Sequence, residues 1–369
     1  MRVLNLTITT GQGHNQVAKK LSEQLSAFEG VESCTLDTFE YINQTLKEIV
    51  SRGYLMSAKR LPKIYGRVYR MAEKRDSDNG HIMRVTSSVM ARKLLKFVAE
   101  YDPDVIVCTH VFAAMLVTDV QRKFKKKRKT IGIITDFTVH PYWEETELDH
   151  YVTANEFLTN QAIKKGIPKS AVLPIGIPID PIFAERTPKA EARRILGIED
   201  MRTVLVMSGS MGYGKVGSMV KTLDGLDMDF QIISVCGNNA KLKKRIDKMD
   251  AKHPIYNYGF TDKVSLLMDA ADCIVSKPGG LTSSEALAKG LPMIIANPIP
   301  GQEDRNVEFL LNNGAAFKVS STFPVDEAVY QMFSNETRLK NVREIAEVLG
   351  KPNAMTDIAE FIVGLDEKR

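Results

Sequence analysis

Two adjacent glycines followed by a carboxylate form the most chemically suggestive stretch of the sequence. Gly279 and Gly280 lie between a short apolar run that ends at Ser276 and a helical pattern that begins at Leu281 and closes at Gly290. Adjacent glycines let backbone N–H groups approach a ligand without a Cβ in the way, and a helix N-terminus carries a partial positive charge. This predicted strand, turn and helix therefore favour phosphate binding.

The same residues also fit a purely structural explanation. Thr282 and Glu285 stand three residues apart, as in a capping box, where the glutamate only reaches back to the backbone at the helix start. A polar cluster after the next apolar run, with Gln302, Glu303 and Asn306, favours a binding site. Parallel strands bring residues of this kind together at one edge of a sheet, where open α/β folds bind ligands.

A second glycine-rich turn follows the apolar run 204–207 and contains Ser208, Gly209 and Gly212. Two such turns in one half of the chain predict a diphosphate ligand. We expect the turn amides, together with Lys277, to meet the negative charge of that diphosphate.

His14 is the strongest candidate for acid–base chemistry. It follows a strand pattern over 3–8 and the turn Gly11 to Gly13, and it precedes a helical pattern over 16–28. A lone histidine in a turn is often structural, but one beside a helix N-terminus tends to stay neutral. A neutral imidazole can accept a proton from an attacking hydroxyl. Asp136, which follows another strand pattern, could orient this ring or receive a substrate hydroxyl.

The glycine spacing around His14 is a weak dinucleotide-binding signal, because Val17 occupies the position of the third glycine. Beyond Asp136, His140 and Trp143 are candidates for lining an acceptor or sugar pocket. Trp143 is the only tryptophan, and a packing role fits it equally well because large aromatic residues mostly pack. His110, after the strand pattern 105–108, is the weakest of these candidates.

Apolar strand patterns alternate with helical patterns throughout the chain, which predicts an α/β protein with doubly wound parallel sheets. In the second half, we expect strands at 204–207, 232–236, 256–260, 273–276 and 293–296. A stretch rich in proline and glycine, 172–181, predicts an interdomain linker. We expect an N-terminal domain over 1–180, a C-terminal domain over 181–350, and a final segment over 351–369 whose helix packs back on the first domain.

Bulk composition describes a globular protein of 369 residues, with 44% hydrophobic and 26% charged residues. The four cysteines show no metal-ligand spacing, which favours reduced thiols in a cytoplasmic protein. Met1-Arg2 leads straight into a strand pattern, so we expect no signal peptide. Because no apolar run approaches the roughly 20 residues that span a bilayer, we expect any membrane contact to be peripheral.

One segment, 47–96, is strongly basic, with 13 Lys or Arg against four Asp or Glu. Basic residues interleaved with aromatic and aliphatic ones suit an anionic lipid surface. A solvated helical face or a nucleic-acid patch is the alternative, but no nucleic-acid fold signature accompanies the segment, so we expect no nucleic-acid partner. The candidate acceptor or membrane residues are Tyr54, Arg60, Lys63, Tyr65, Arg67, Tyr69 and Arg70. A second basic run, 123–129, reads as a solvated loop.

Two Asp-x-Asp sequences, 102–104 and 227–229, resemble motifs that hold a divalent ion under a diphosphate. Both precede predicted strands, which places them at the opposite edge of the sheet from the glycine turns. We therefore expect no metal and no cofactor.

The motifs together resemble the glycosyltransferases of family 28 that make glycosyldiacylglycerols, the monogalactosyldiacylglycerol synthases and the bacterial processive diacylglycerol glucosyltransferases. The resemblance rests on Gly-x-Gly-His at 11–14, Pro-Gly-Gly-Leu-Thr at 278–282 with Glu285, and Pro-Gly-Gln-Glu at 300–303. It implies the GT-B fold, in which two Rossmann-like domains face a central cleft. The related peptidoglycan transferase has a longer glycine run, which this sequence lacks.

The resemblance also implies roles for individual residues. His14 is implied as the catalytic base, Glu285 as the ligand of the ribose hydroxyls, and Gln302 with Glu303 as the sugar ligands. Phe260 and Thr261 are implied to hold the uracil, and the basic segment to dock on the membrane. The full set expected around the donor is Gly13, Ser208, Gly209, Gly212, Phe260, Thr261, Lys277, Gly279, Gly280, Leu281, Thr282, Glu285, Gln302, Glu303 and Asn306.

We therefore expect an inverting enzyme that moves a hexose from UDP-glucose or UDP-galactose to diacylglycerol at the inner face of the cell membrane. The sequence leaves open the sugar, processivity, the exact lipid and the oligomeric state. Three alternatives remain: a transferase for another lipid acceptor, such as the peptidoglycan type, a UDP-N-acetylglucosamine 2-epimerase, and a non-catalytic membrane-bound UDP-sugar sensor.

Overall fold

This computed structural model describes residues 1–9, 12–42, 92–123, 127–208, 215–301 and 303–365. The chain divides into two compact units. Unit 1 contains residues 1–180, 300–302 and 353–369, and unit 2 contains residues 181–299 and 303–352. Each unit is built on a six-stranded sheet whose strands pair in parallel, as the alternation of strand and helix patterns predicts.

The sheet of unit 1 has the strand order β2-β1-β3-β4-β5-β6. Its central strands are continuous apolar runs because helices cover both faces, and five of the six residues of β1 are buried. The strands are β1 (Arg2–Thr7), β2 (Glu32–Asp37), β3 (Val105–Cys108), β4 (Lys129–Ile133), β5 (His150–Val152) and β6 (Val172–Leu173).

The helices of the first half of the chain connect these strands. They are α1 (Gln12–Leu25), α2 (Thr38–Ile42), α3 (92–101), α4 (Val111–Gln121) and α5 (Thr159–Lys164). The start of α1 differs from the sequence prediction: the helix begins at Gln12 and not at Gln16, so His14 lies in the first helical turn. The hydrophobic pattern did not reveal this start because the first turn, Gln12 to Asn15, is polar and contains a glycine.

The sheet of unit 2 has the order β12-β11-β10-β7-β8-β9. All five predicted strands are present, but the sixth, β12, was missed because its apolar run is only three residues, Ala315 to Phe317, before Lys318. The strands are β7 (Thr203–Met207), β8 (Gln231–Val235), β9 (Ile255–Tyr258), β10 (Cys273–Ser276), β11 (Met293–Ile295) and β12 (Ala316–Lys318).

Helices pack on this second sheet around a core that includes Phe230, Ile232 and Val275. They are α6 (Lys189–Leu196), α7 (Val216–Asp224), α8 (Ala240–Ile246), α9 (Val264–Ala270), α10 (Gly280–Ala288), α11 (Asp304–Asn312), α12 (Val325–Phe333) and α13 (Glu336–Leu349).

The last helix, α14 (Ala354–Val363), belongs to unit 1 and contacts α1. Its Phe361 meets the ring of His150 edge-on, with 5.0 Å between ring centroids. Among the helices described, none combines the length and the apolar stretch that crossing a bilayer requires.

Candidate active site

The glycine turn of unit 2 follows β10 directly. Gly279 is the N-cap residue of α10, and Gly280 is the first residue of the helix. A glycine N-cap has no side chain with which to cover the first N–H groups of the helix. Those donors and the helix dipole therefore face the turn, which is the arrangement that favours phosphate binding.

This N-cap position overturns the capping-box explanation. A box formed by Thr282 and Glu285 would require Thr282 to be the N-cap, but that cap is Gly279 and Thr282 lies inside the helix. Leu281, Thr282 and Glu285 are partly exposed, while Ser283 and Ser284 are buried. Residues three and four positions apart share a helix face, so Glu285 lies on the same face as both Thr282 and Leu281.

A partly buried ion pair lies beside the same turn. Lys277 Nζ donates to Oε1 of Glu303 over 2.6 Å, and Oε2 of Glu303 accepts from the backbone N–H of Ile299 over 2.7 Å. A Cβ built on Gly279 would lie 3.7 Å from both Lys277 Nζ and Glu303 Oε1, so this pair borders the glycine turn. Both charged groups therefore lie next to the predicted phosphate site.

Asn306 supports the turn from behind. Its side chain is fully buried and donates to the carbonyl oxygen of Pro278 over 2.9 Å. The prediction that Asn306 binds the donor directly is therefore corrected to a supporting role, because a fully buried amide offers no surface to a ligand. This contact ties α11 to the glycine turn.

The neighbouring strand ends carry further predicted donor residues. Ser208, just after β7, is 7% exposed and its hydroxyl has no partner among the described residues. Ser276 lies at the end of the adjacent strand β10, and its buried hydroxyl also has no partner among the described residues. Ser276 was not among the predicted donor residues. Gly209, Gly212 and Gln302 lie outside the described residues.

Phe260, two residues after the end of β9, is 70% exposed, which is unusual for a phenylalanine. Thr261 follows it, and the hydroxyl oxygen of Thr261 accepts from the N–H of Lys263 over 3.1 Å. An exposed aromatic ring of this kind offers a flat apolar wall to a planar ligand.

In unit 1, His14 lies where the C-terminal ends of β1, β3 and β4 meet, because these three strands are neighbours. Gly13, its predecessor, is part of the same first turn of α1. The Nδ1 atom of His14 lies 2.8 Å from the carbonyl oxygen of Thr109 and 3.0 Å from the hydroxyl oxygen of Thr135. Thr109 also donates its hydroxyl to the carbonyl oxygen of His14 over 3.2 Å.

These contacts determine which nitrogen of His14 carries the proton. A carbonyl oxygen can only accept, so Nδ1 must donate to Thr109, and the hydroxyl oxygen of Thr135 is a second acceptor for the same proton. In the neutral ring, Nε2 is therefore the atom with the free lone pair. No described residue hydrogen-bonds Nε2, which leaves it able to accept a proton from a ligand.

The electrostatics keep this ring neutral. Burial lowers the pKa of His14 below its ordinary value, while the charge of Asp136 and the hydrogen bond to Thr109 oppose that shift. A lowered pKa means that the imidazole is unprotonated at neutral pH. Asp136 lies just beyond the C-terminal end of β4, as predicted, and its negative charge raises the pKa of His14.

His110, the weakest sequence candidate, is in direct contact with His14. Their ring centroids are 4.7 Å apart, at an angle of 72°. His110 is the N-cap of α4, and its Nδ1 accepts from the N–H of Phe112 over 3.2 Å. Burial, together with neighbouring His14 and His140, lowers the pKa of His110 well below its ordinary value. No local pattern indicates this contact, because the two histidines are 96 positions apart in the sequence.

A band of rings continues from His110. The ring of Phe112 lies 5.3 Å from His110 and 5.7 Å from Tyr142, and Tyr142 lies 4.9 Å from His140. His140 caps the short helix Pro141–Glu145 by accepting from the N–H of Tyr142 over 3.2 Å. The predicted acceptor residue His140 is thus in the same group of rings as His14.

Trp143 lies in the core of unit 1. It is 4% exposed, and its ring meets the ring of Tyr151 edge-on, with 6.1 Å between centroids. It also packs against Gly132 so closely that a Cβ at that position would come within 2.7 Å of the indole ring. Its predicted position in an acceptor or sugar pocket is corrected to a packing role, the alternative that the sequence leaves open.

The described residues on either side of 43–91, the range that contains most of the basic segment, contact each other. Lys93 Nζ donates to the carbonyl oxygen of Ile42 over 2.8 Å. Phe39, in the α2 helix that precedes the segment, stacks on Phe112 at 6.5 Å, so α2 lies beside the histidine rings. The candidate acceptor residues Tyr54, Arg60, Lys63, Tyr65, Arg67, Tyr69 and Arg70 lie outside the described residues.

Both Asp-x-Asp sequences precede strands, as predicted. Asp102 pairs with Arg128 over 2.9 Å, and Asp104 accepts from the N–H of Arg2 over 2.8 Å. Asp227 and Asp229 precede β8. Within the described ranges, no three His, Cys, Asp or Glu residues group closely enough to hold a metal ion.

Two family models match the sequence. The monogalactosyldiacylglycerol (MGDG) synthase family matches residues 14–179, and the glycosyltransferase family 28 C-terminal domain matches residues 203–360. The first therefore covers the histidine site of unit 1, and the second covers the glycine turn of unit 2.

Curated proteins extend this likeness over nearly the whole chain. The sequence is 29% identical over 367 residues to a processive diacylglycerol beta-glucosyltransferase of Bacillus pumilus, which covers 98% of this chain and 94% of that protein. It is 31% identical over 283 residues to the chloroplastic monogalactosyldiacylglycerol synthase 2 of Arabidopsis thaliana, covering 73% of this chain and 60% of that protein.

Among solved structures, MurG of Acinetobacter baumannii superimposes with a TM-score of 0.69, over 98% of this chain and 99% of that one, at 15% identity. A likeness at this identity concerns the fold alone. It confirms the GT-B fold expected from the sequence.

Proposed function

We propose that the chain is a diacylglycerol glycosyltransferase, which transfers a hexose from a UDP-sugar to the hydroxyl of 1,2-diacylglycerol with inversion. The likeness to the two family models and to curated diacylglycerol glucosyltransferases supports a lipid glycosyltransferase that uses a UDP-sugar. We further propose that the acceptor is 1,2-diacylglycerol and that the configuration of the anomeric carbon is inverted.

The observation that carries the proposal is the arrangement around His14. Its Nδ1 is held by Thr109, its Nε2 lone pair is available, and its lowered pKa keeps it unprotonated at neutral pH. These are the requirements of a general base for a hydroxyl group, which contributes roughly a hundredfold to ten-thousandfold in rate.

In the proposed reaction, the primary hydroxyl of diacylglycerol gives its proton to Nε2 of His14. The hydroxyl oxygen forms a bond to the anomeric carbon while the bond from that carbon to the UDP oxygen breaks, and UDP leaves with the electron pair. Because attack and departure occur on opposite faces, an α-linked donor yields a β-glycoside.

Unit 2 supports the donor side of the proposal. The uncovered N–H groups at the start of α10 suit the diphosphate, and Glu285 on the same face suits the ribose hydroxyls. Glu303 with Gln302 is assigned to the hexose, and exposed Phe260 with Thr261 to the uracil. Helix N–H groups and Lys277 would stabilise the charge that develops on UDP, so we propose that the reaction needs no metal.

The acceptor side rests on the composition of the basic segment, 47–96, and on the preceding helix α2, whose Phe39 stacks on Phe112 beside the histidine rings. The Lys and Arg residues of the basic segment, interleaved with tyrosines, suit an anionic membrane surface. We propose that the protein works at the inner face of the cell membrane as a peripheral protein and takes diacylglycerol from that surface.

The test measures UDP release with UDP-glucose or UDP-galactose, with and without diacylglycerol in anionic vesicles, for the wild type and for His14→Ala. Release that requires diacylglycerol, persists in a chelator and is lost in His14→Ala while UDP binding is kept would support the proposal. Product analysis then identifies the sugar and shows whether further hexoses are added.

Three outcomes would contradict it. Release without any lipid would indicate hydrolysis or a water-soluble acceptor. Tight UDP binding without release would indicate a sensor, and interconversion of UDP-N-acetylhexosamines would indicate an epimerase.

A further inference from the structure

We propose that His110 donates a hydrogen bond from Nε2 to an ester carbonyl oxygen of the acceptor lipid, and so positions the lipid hydroxyl for His14. The proposal rests on the proposed function and assigns to His110 a recognition role that the sequence does not reveal. His110 is a positioning residue, because it takes no part in moving the proton.

The cap contact of His110 fixes its tautomer. Phe112 N–H donates to Nδ1, so Nδ1 must be unprotonated. The pKa of His110 lies well below its ordinary value, so the ring is neutral and its single proton is on Nε2. His14 is the opposite tautomer, with its proton on Nδ1.

Two adjacent rings therefore present complementary groups. Nε2 of His14 can accept, and Nε2–H of His110 can donate, with the ring centroids 4.7 Å apart. No described residue accepts from Nε2–H of His110, although the residue is only 9% exposed. Nε2 is not one of the fully buried side-chain atoms that lack a partner among the described residues, so it is accessible and can donate to an acceptor oxygen of a ligand.

The ligand that fits must carry a hydroxyl and an acceptor oxygen a few bonds apart on an otherwise apolar molecule. In 1,2-diacylglycerol, the carbonyl oxygen of the ester on the central carbon is separated from the hydroxyl by a short chain of bonds. The rings of Phe112 and Tyr142 beside His110 provide an apolar wall for such a lipid. A simple alcohol would satisfy His14 but not His110.

The rival explanation is that His110 only caps α4. A cap contributes to stability, which affects every substrate equally, whereas a hydrogen bond to the ester affects only lipids that contain it. Comparing 1,2-diacylglycerol with a 1,2-dialkylglycerol of the same chain length separates the two explanations, because the ether analogue lacks the carbonyl oxygen.

The experiment measures kcat/KM for both lipids in mixed vesicles, for the wild type, His110→Asn and His110→Ala. Asparagine is a good N-cap and can still accept from the N–H of Phe112, but it lacks the Nε2–H of the longer ring. We expect the wild type to prefer the ester lipid by roughly three- to tenfold, as one neutral hydrogen bond allows, and both variants to lose that preference.

Asn155→Ala is the matched control. Asn155 caps a short helix of unit 1 through the same kind of contact, accepting from the N–H of Phe157 over 3.1 Å. This variant should lower the unfolding temperature and keep the wild-type ratio of ester to ether activity. His110→Asn should keep the wild-type unfolding temperature and lose the preference for the ester lipid.

Equal use of both lipids by the wild type, or a wild-type ratio in His110→Asn, would overturn the proposal while leaving the proposed transferase activity intact. Absence of UDP release with either lipid in the wild type would overturn both.

Discussion

The ammonium of Lys277 lies 2.6 Å from Oε1 of Glu303, and the two partners differ in their access to water. The side chain of Glu303 is 5% exposed, whereas that of Lys277 is 26% exposed. Removing the lysine would leave a buried carboxylate without its counter-charge, while removing the carboxylate would leave an ammonium that can turn toward water. The pair is therefore asymmetric in its contribution to stability.

We predict that Lys277→Met lowers the free energy of unfolding by about 3 kcal/mol, and that Glu303→Gln lowers it less. The double variant should be more stable than Lys277→Met alone, because it no longer contains the unpaired carboxylate. Denaturant unfolding of the three variants measures this, with UDP binding as a second readout. Equal losses for the two single variants, or additive losses in the double variant, would contradict the asymmetry.

The sequence predicts the sheets and the edge at which the site lies, because both follow from local patterns. Apolar runs alternate with helical periodicity, and polar residues follow the ends of β1, β3, β4, β7 and β10. Once parallel pairing is inferred, the meeting of these strand ends is a geometric consequence. Thr109 and Thr135 lie near His14 for this reason.

The sequence could not predict features that depend on contacts between distant residues or on the direction of a side chain. Nothing local to His110 indicates that its ring meets His14, and nothing local to Asn306 indicates that it is buried behind Pro278. Trp143 could equally have lined a pocket, and only the packing against Gly132 decides the matter.

The pH dependence of the reaction should report on His14. A general base works only when unprotonated, so kcat/KM must fall as the pH falls through the pKa of His14. Asp136 raises that pKa, although burial keeps it below the ordinary value. We predict that Asp136→Asn lowers the pKa further and moves the acid limb of the profile to lower pH.

The measurement is kcat/KM between about pH 5 and pH 8 at constant ionic strength. Glu100→Gln, which removes an exposed carboxylate of unit 1 paired with Lys96, is the control and should leave the acid limb in place. An acid limb that moves to higher pH in Asp136→Asn would show that His14 is not the titrating base.

A network of polar side chains connects α2 to the residue beside His14. Asp37 accepts from Phe39 N–H over 3.1 Å through Oδ1, and from Thr9 N–H over 3.1 Å through Oδ2. Asn15 donates to the Thr9 hydroxyl oxygen over 2.6 Å. Asp37 thus holds the start of α2 and, through Thr9 and Asn15, the first turn of α1.

We predict that Asp37→Ala lowers kcat by roughly ten- to a hundredfold while UDP binding is kept, because a small displacement of the base is costly. Asn335→Ala is the control: it removes the N-cap of α13, where Asn335 accepts from Arg338 N–H over 2.9 Å. The control should lose stability without the loss in kcat. Equal kcat effects of the two variants would mean that Asp37 acts only through stability.

The last prediction concerns the basic segment. We expect the quadruple change of Arg60, Lys63, Arg67 and Arg70 to glutamine to weaken binding to anionic liposomes by at least about tenfold, because each cation near the headgroups contributes about 1 kcal/mol. Flotation with vesicles of increasing anionic lipid content measures this, and added salt should reduce the difference between wild type and variant because it screens the same charges.

The matched control changes four exposed lysines of unit 2 to glutamine, which alters the net charge by the same amount. These are Lys221, Lys241, Lys244 and Lys248. If net charge alone drove adsorption, the two variants would lose binding equally, and the basic segment would have no special part in docking. Loss confined to the first variant would instead locate the membrane contact in the basic segment.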